Sequence, residues 1–160
     1  STKYWDKKTF LIMAGKSYDG YFEELKEFLR KENLNKVILF ENVSYNFWFQ
    51  ILQNSIAGFA LYDPVNTSHD YMGGTSQKLN NYIFARVPSL LSNNKDFKIF
   101  NKKYQTSLIV NNNSEKDIAL KVNKLLKNKK LYRYLKKKNN VAFNSEFNFE
   151  KQISSIPNIF

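Results

Sequence analysis

Phe10–Tyr45, FLIMAGKSYDGYFEELKEFLRKENLNKVILFENVSY, sets two short apolar runs on either side of a charged segment with helical period. The runs Thr9–Ala14 and Val37–Phe40 lack the alternation of a strand with one wet face, the pattern of parallel strands buried on both sides. Between them Tyr21, Phe22, Leu25, Phe28 and Leu29 share one helical stripe, and Glu23, Glu24, Lys26, Glu27 and Arg30 fall on the other side. Strand, helix and strand in that order predict a right-handed crossover between parallel strands.

The same alternation continues outward. Ala57–Tyr62, Val87–Leu91 and Ser107–Val110 bring the strand-length apolar runs to five. Ile118, Val122, Leu125 and Leu126 recur at helical spacing, opened by Ser114 with Asp117 three residues on, a capping-box spacing. The Asn111–Asn113 triplet marks a loop before it. The basic tail Lys127–Asn140 carries Leu131, Tyr134 and Leu135 as the apolar side of an amphipathic helix; Phe143, Phe147 and Phe149 follow among polar residues, and Pro157 ends the last segment. The expected fold is one α/β domain over 1–160, a doubly wound parallel sheet flanked by helices. Ligands of such sheets bind outside the carboxyl ends of the strands, which directs attention to the loops after Ala14, Phe40, Tyr62 and Leu91.

Composition bounds the chemistry. The chain has 160 residues, enough for one core; 42% are apolar and 16% aromatic, so burial can offset the ordering entropy. There is no cysteine, hence no disulfide framework and no thiolate metal site. No run approaches the roughly 18 apolar residues of a spanning helix, and no secretory leader is legible, which points to a cytoplasmic setting. Lys and Arg number 25 against 14 Asp and Glu, a net charge of +11, which attracts nucleic acid, acidic lipid or a phosphorylated small molecule without choosing among them.

Tyr62–Pro88, YDPVNTSHDYMGGTSQKLNNYIFARVP, carries the chemistry. A strand runs into a polar loop, a glycine pair and then a helix that Thr75 or Ser76 can cap. The unpaired amides and positive dipole end of such a helix suit a phosphate. Leu79, Tyr82 and Ile83 form the buried stripe, whereas Lys78 and Asn81 point together from another face. A Gly-Gly turn before a helix is common, so spacing alone leaves a plain turn and an anion site both open.

This stretch resembles the donor-binding loop and helix of group 1 glycosyltransferases of the bacterial GT-B type, which in one branch read Ser-Pro-Asn-Lys-Leu-x-Glu-Tyr-Met-x-x-Gly-x-Pro. Thr75, Ser76, Gln77, Lys78, Leu79, Asn80, Asn81, Tyr82, Ile83 and Pro88 occupy the slots, with Lys78, Leu79, Tyr82 and Pro88 matching directly. Phe10–Tyr45 resembles the family's strand, glycine turn, helix and second strand. FALYDP resembles the strand and loop leading to the sugar site, and the Ile-Ala helix, the Leu-rich helix and FNSEFNFEKQ resemble its end.

The resemblance implies a Rossmann-like half of a GT-B fold, the domain that holds the nucleotide diphosphate-sugar donor of a retaining, hexosyltransferase-type enzyme of polysaccharide biosynthesis. Its acceptor, a glycan or lipid-linked sugar, would be held by an N-terminal domain absent from this chain, which alone would be inactive. Gly73, Gly74, Thr75, Ser76, Gln77 and Lys78 then bind the donor diphosphate and sugar, Asn81 the ribose, and Gly15, Lys16, Asn42 and Val43 lie near the base. No essential metal or cofactor is implied, and no catalytic residue is assigned. Three slots depart from the pattern. The family's acidic pair falls on Gly73 and Asn81, and its helix glycine is Arg86. Its Arg and Lys for the diphosphate belong to an earlier βα unit, which this chain either lacks or replaces with residues near Tyr4.

Other candidates have plainer readings. His69 is the only histidine, which excludes paired-histidine catalysis and most zinc sites. Asp63 with Asp70 suggests a metal pair, but loop aspartates commonly form turns. Gly15 and Lys16 lack the rest of a P-loop. Lys136–Lys138 reads as a solvated helix face rather than a nucleic-acid site, or as a face resting on acidic membrane. The alternatives to a transferase domain are a non-enzymatic basic module that binds nucleic acid or membrane, and an inactive transferase relative.

Overall fold

The computed structural model describes residues 1–17, 19–63 and 71–154. A 3-10 turn (Thr2–Tyr4) precedes β1 (Leu11–Gly15), α1 (Tyr21–Lys31), β2 (Val37–Glu41), α2 (Tyr45–Gln53), β3 (Gly58–Ala60), α3 (Gln77–Ala85), β4 (Ser89–Ser92), α4 (Lys95–Tyr104), β5 (Ser107–Val110), α5 (Glu115–Lys127), α6 (Lys129–Ser145) and α7 (Phe149–Ser154). Every strand pairing among the described residues is parallel, the α/β architecture expected. The strands form two ladders, β1–β2 and β3–β4–β5, the first running from Leu11 opposite Val37 to Gly15 opposite Glu41. In the second, Ala60 lies opposite Leu91 and Leu91 opposite Ile109.

The three-stranded ladder is covered on both faces. Leu90 and Val110 join Ile118, Val122 and Leu125 of α5 on one side, while Ala60 and Leu91 join Leu79, Ile83, Phe97 and Phe100 of α3 and α4 on the other. Successive residues of a strand point to opposite faces, so this split makes the sheet doubly wound. β4 is buried throughout, its two terminal serines included, and the Ser89 hydroxyl is satisfied by that of Ser107 at 2.7 Å. Helix α6 serves both faces, with Leu135 in the first cluster and Ala142 in the second. It is clipped to the start of β5 by Asn139, fully buried, whose Nδ2 donates to the Thr106 carbonyl at 3.0 Å.

Close packing fixes α3 against the sheet. The Tyr82 hydroxyl donates to the Phe59 carbonyl at 3.0 Å, and its ring lies so near Gly58 that a Cβ there would overlap ring carbons. Burial raises the Tyr82 phenol above its ordinary pKa, opposed by that hydrogen bond. Arg86 ends the helix in the left-handed conformation at φ 59°, with its guanidinium 3.9 Å from the Phe143 ring centre. The residue in the family's glycine slot thus adopts a backbone conformation that glycine reaches without strain.

Four expectations need correction. Strands β1 and β2 are not buried on both faces: Ile12 and Ile38, partners in register, are each 39% exposed, although α1 packs on β2 and Phe47 of α2 meets Phe40. On α1 itself Phe22, Leu25 and Leu29 are half-buried while Tyr21 and Phe28 are exposed, because a two-stranded ladder is too narrow to cover the whole stripe. The basic tail is broken at Asn128, whose side chain accepts from the Leu131 amide and starts α6 afresh; Tyr134 is exposed. Residues near Tyr4 make a 3-10 turn rather than a strand, and Trp5 beyond it is buried, stacked on Phe59. Pro157 lies outside the described residues.

Candidate functional site

The carboxyl ends of β1 and β2 open into a cleft of about 510 Å³ lined by Ala14, Gly15, Lys16, Asn42, Val43, Tyr45 and Trp48. All four residues expected beside a base therefore meet in one place. Asn42, left-handed at φ 53°, turns the chain out of β2 and donates its amide to the Gly15 carbonyl at 2.9 Å, which ties the two strand ends together. Ser44 then caps α2 by accepting from the Phe47 amide. Sequence reasoning missed Tyr45 and Trp48, which this cap brings to the cleft wall. Tyr45 is 65% exposed with its ring 5.5 Å from that of Trp48, an aromatic surface suited to a planar ring.

The second part of the site lies beyond β3. Tyr62 extends that strand: Ser92 accepts from its amide at 2.7 Å and donates to its carbonyl at 3.0 Å. The buried Ser76 hydroxyl caps α3, accepting from the Leu79 amide and bonding the Tyr62 hydroxyl at 2.9 Å. Of the two residues able to cap, Ser76 does so, while Thr75 donates to the Tyr71 carbonyl. That hydroxyl is thereby occupied internally. Gln77 and Lys78 remain at the helix start with first-turn amides that no cap satisfies among the described residues. The Lys78 ammonium stands 5.4 Å from the centre of the Tyr62 ring, on the exposed side of the helix. Asn81, one turn deeper, is half-buried.

Both glycines are needed, for different reasons. Gly74 has φ 99°, a conformation costly for any side chain. A Cβ at Gly73 would stand 2.7 Å from Asp96 Oδ2, because the Asp96 carboxylate accepts the Gly73 amide in a short hydrogen bond. Asp96, in the first turn of α4, places a negative charge against the slot where the family's carboxylate is missing. Asn80 adds a further tie, donating to the Gly74 carbonyl at 3.2 Å while its buried Oδ1 has no partner among the described residues.

Trp48 links the cleft to the far end of α3. It lines the cleft and also packs with Tyr82, Ala85 and Leu52 in the cluster between α2 and α3. Lys78 and Asn81 do not line the cleft itself. Asp63 is engaged by the Asn112 amide at 2.6 Å, and no cluster of potential metal ligands occurs among the described residues. His69 and Asp70 lie outside them. No described helix is long and apolar enough to cross a membrane.

No family model and no curated protein matches the chain. Among solved structures the fold is similar to that of WaaG, a glycosyltransferase involved in lipopolysaccharide biosynthesis, with a TM-score of 0.58 and 16% identity. The match covers 86% of this chain and 34% of that one, so the chain spans about a third of the protein it resembles.

Proposed function

We propose that this chain is the donor-binding part of a retaining glycosyltransferase that moves a sugar from a nucleotide diphosphate-sugar to a glycan or lipid-linked acceptor held by another domain. The carrying observation is the convergence of Gly15, Lys16, Asn42 and Val43 with Tyr45 and Trp48 around one strand-end cleft. Gly15, Lys16, Asn42 and Val43, with the Tyr45 ring, would surround the base. Asn81 would bind the ribose, and the loop from Gly73 to Lys78 the diphosphate and sugar. The fold shared with part of a glycosyltransferase supports this reading, as does the order of motifs along the chain. The donor is the only small molecule invoked; no metal or cofactor and no nucleic acid enter, and the setting is the cytoplasm, at or near the inner membrane surface. An inactive transferase relative is the second reading, favoured by the lack of a carboxylate at Gly73 and Asn81.

The test is calorimetric titration of the chain with uridine, guanosine and adenosine diphosphates. One should bind, and Lys78→Ala should weaken it by about tenfold to a hundredfold, the loss of one charge-assisted hydrogen bond. If no nucleotide binds, the donor reading is wrong; if one binds and Lys78→Ala leaves it untouched, the phosphate site lies elsewhere. Sugar transfer by the same chain joined to an acceptor domain separates an active enzyme from an inactive relative.

A further inference from the structure

The positive charge of this chain is unevenly placed. Residues 95–160 carry 15 Lys and Arg against 5 Asp and Glu, while the first 94 carry 10 against 9. Much of the excess gathers where α5 ends and α6 begins, around a groove of about 680 Å³ lined by Leu120, Lys121, Asn123, Lys124, Lys127 and Lys129. Because α5 leaves the carboxyl end of β5 and packs back along the sheet, its last turn lies at the opposite end of the domain from the candidate donor site.

Helical spacing sets out this surface. Ile118, Ala119, Val122 and Leu125 are buried, so Lys116, Leu120, Lys124 and Lys127 follow one another down the outer side. Leu120 is 62% exposed with a lysine four residues away on either side. The acidic groups of α5 are already engaged, Asp117 with Lys121 at 3.9 Å and Glu115 with Lys3 at 3.3 Å. No carboxylate lies within ion-pair distance of Lys116, Lys124, Lys127, Lys129 or Lys130 among the described residues. Asn123 holds the floor, donating to the Tyr4 carbonyl at 3.0 Å and accepting from the Asp6 amide at 3.3 Å.

We propose that this elbow between α5 and α6 is a docking surface for an acidic lipid bilayer, with Leu120 entering the interface and the surrounding lysines meeting lipid phosphates. Lys116 to Lys127 spans roughly 17 Å of helix, longer than one small phosphate needs and suited to several headgroups side by side. An exposed leucine ringed by ammonium groups gains from an interface that is apolar beneath an anionic layer. No aromatic side chain lines the groove, which removes the stacking that single-stranded nucleic acid would use. The surface is distinct from the Lys136–Lys138 run on the later turns of α6. The proposal does not depend on whether the chain binds a nucleotide.

The experiment is flotation of the chain with phosphatidylcholine vesicles, with and without phosphatidylglycerol. The chain should float only with the acidic vesicles. Each lysine at an anionic surface multiplies partition by about fivefold, so Lys124→Gln, Lys127→Gln and Lys129→Gln together should lower it by about a hundredfold. Leu120→Ala should lower it severalfold. Replacing Lys136, Lys137 and Lys138 by Gln is the charge-matched control and should cost less than a tenth as much. All variants should keep the circular dichroism and melting temperature of the parent, since every changed residue but the half-buried Lys138 is exposed. Equal losses in the two triple variants would overturn the proposal in favour of diffuse charge. Displacement from vesicles by millimolar inorganic phosphate would reduce the elbow to a small-anion site. Tighter binding to an oligonucleotide than to vesicles, lost in the elbow variant, would replace the membrane with nucleic acid.

Discussion

Asn81 sits three residues into α3 beyond Lys78, on the same side of the helix and half-buried where Lys78 is exposed. Removing its amide should weaken a ribonucleoside diphosphate by about fivefold to tenfold, one neutral hydrogen bond, and leave the 2′-deoxy form almost unchanged. Asn81→Glu should hold or raise affinity, since a carboxylate accepts from both ribose hydroxyls; equal losses for both sugars in Asn81→Ala would place the ribose elsewhere. Asp96 invites a different comparison. Its carboxylate orders the Gly73 loop but also repels a diphosphate, so Asp96→Ala should lower unfolding stability by about 1–2 kcal/mol. Asp96→Asn, which keeps an acceptor without the charge, should be nearly as stable as the parent and bind nucleotide severalfold more tightly. Weaker binding by Asp96→Asn would mean that the charge assists the ligand. The glycine pair and the Ser76 cap were legible in the sequence because loop and cap chemistry is local. Asp96 was not, since it acts across 23 residues.

Helix α3 ends on a residue that does two things at once. A left-handed side chain costs about 1 kcal/mol more than glycine, and the ring contact to Phe143 returns about 0.5–1 kcal/mol. Arg86→Ala loses the contact and keeps the strain, so urea unfolding should show a loss of about 1 kcal/mol; Arg86→Gly loses both and should stay within about 0.5 kcal/mol of the parent. A glycine variant no more stable than the alanine one would refute this balance. The elements differ in how openly they were written. Helices α1, α3 and α5 show a clear apolar stripe or a cap, and β3 to β5 lie in short, mainly apolar runs without polar alternation. Helix α2 is nearly apolar all round, with Tyr45, Phe47, Trp48, Phe49, Ile51 and Leu52 in nine residues, so no period separates it from a strand. Its Ser44 cap was the readable signal, and so was the Asn94 side chain that accepts from Phe97 to start α4. The half-exposed β1–β2 ladder could not be foreseen, because an apolar run records what a strand could bury rather than what covers it.

At the scale of the whole molecule, this chain should transfer no sugar by itself. In the proposed reaction donor carbon and acceptor hydroxyl must be held together across a cleft from which water is excluded, and the acceptor is proposed to sit on another domain. Incubation with labelled nucleotide-sugars and a glycan acceptor should yield no labelled glycan, even where calorimetry shows that the nucleotide binds. Labelled glycan from the 160-residue chain would mean that the acceptor is bound here as well.

The contact between Gly58 and Tyr82 gives helix α3 a mechanical stop. The height of α3 above the sheet is set by a hydrogen atom in place of a methyl group, at a residue buried beneath the helix. Gly58→Ala should therefore lift one edge of α3, lower stability by about 1–3 kcal/mol as overpacking does, and weaken nucleotide binding at a distance. A second change that shortens the opposing side chain, Tyr82→Leu, should act as a suppressor and recover affinity even though it gives up the hydrogen bond to Phe59. Loss in the single variant with recovery in the double would identify a spacer, a residue whose function is the room it leaves.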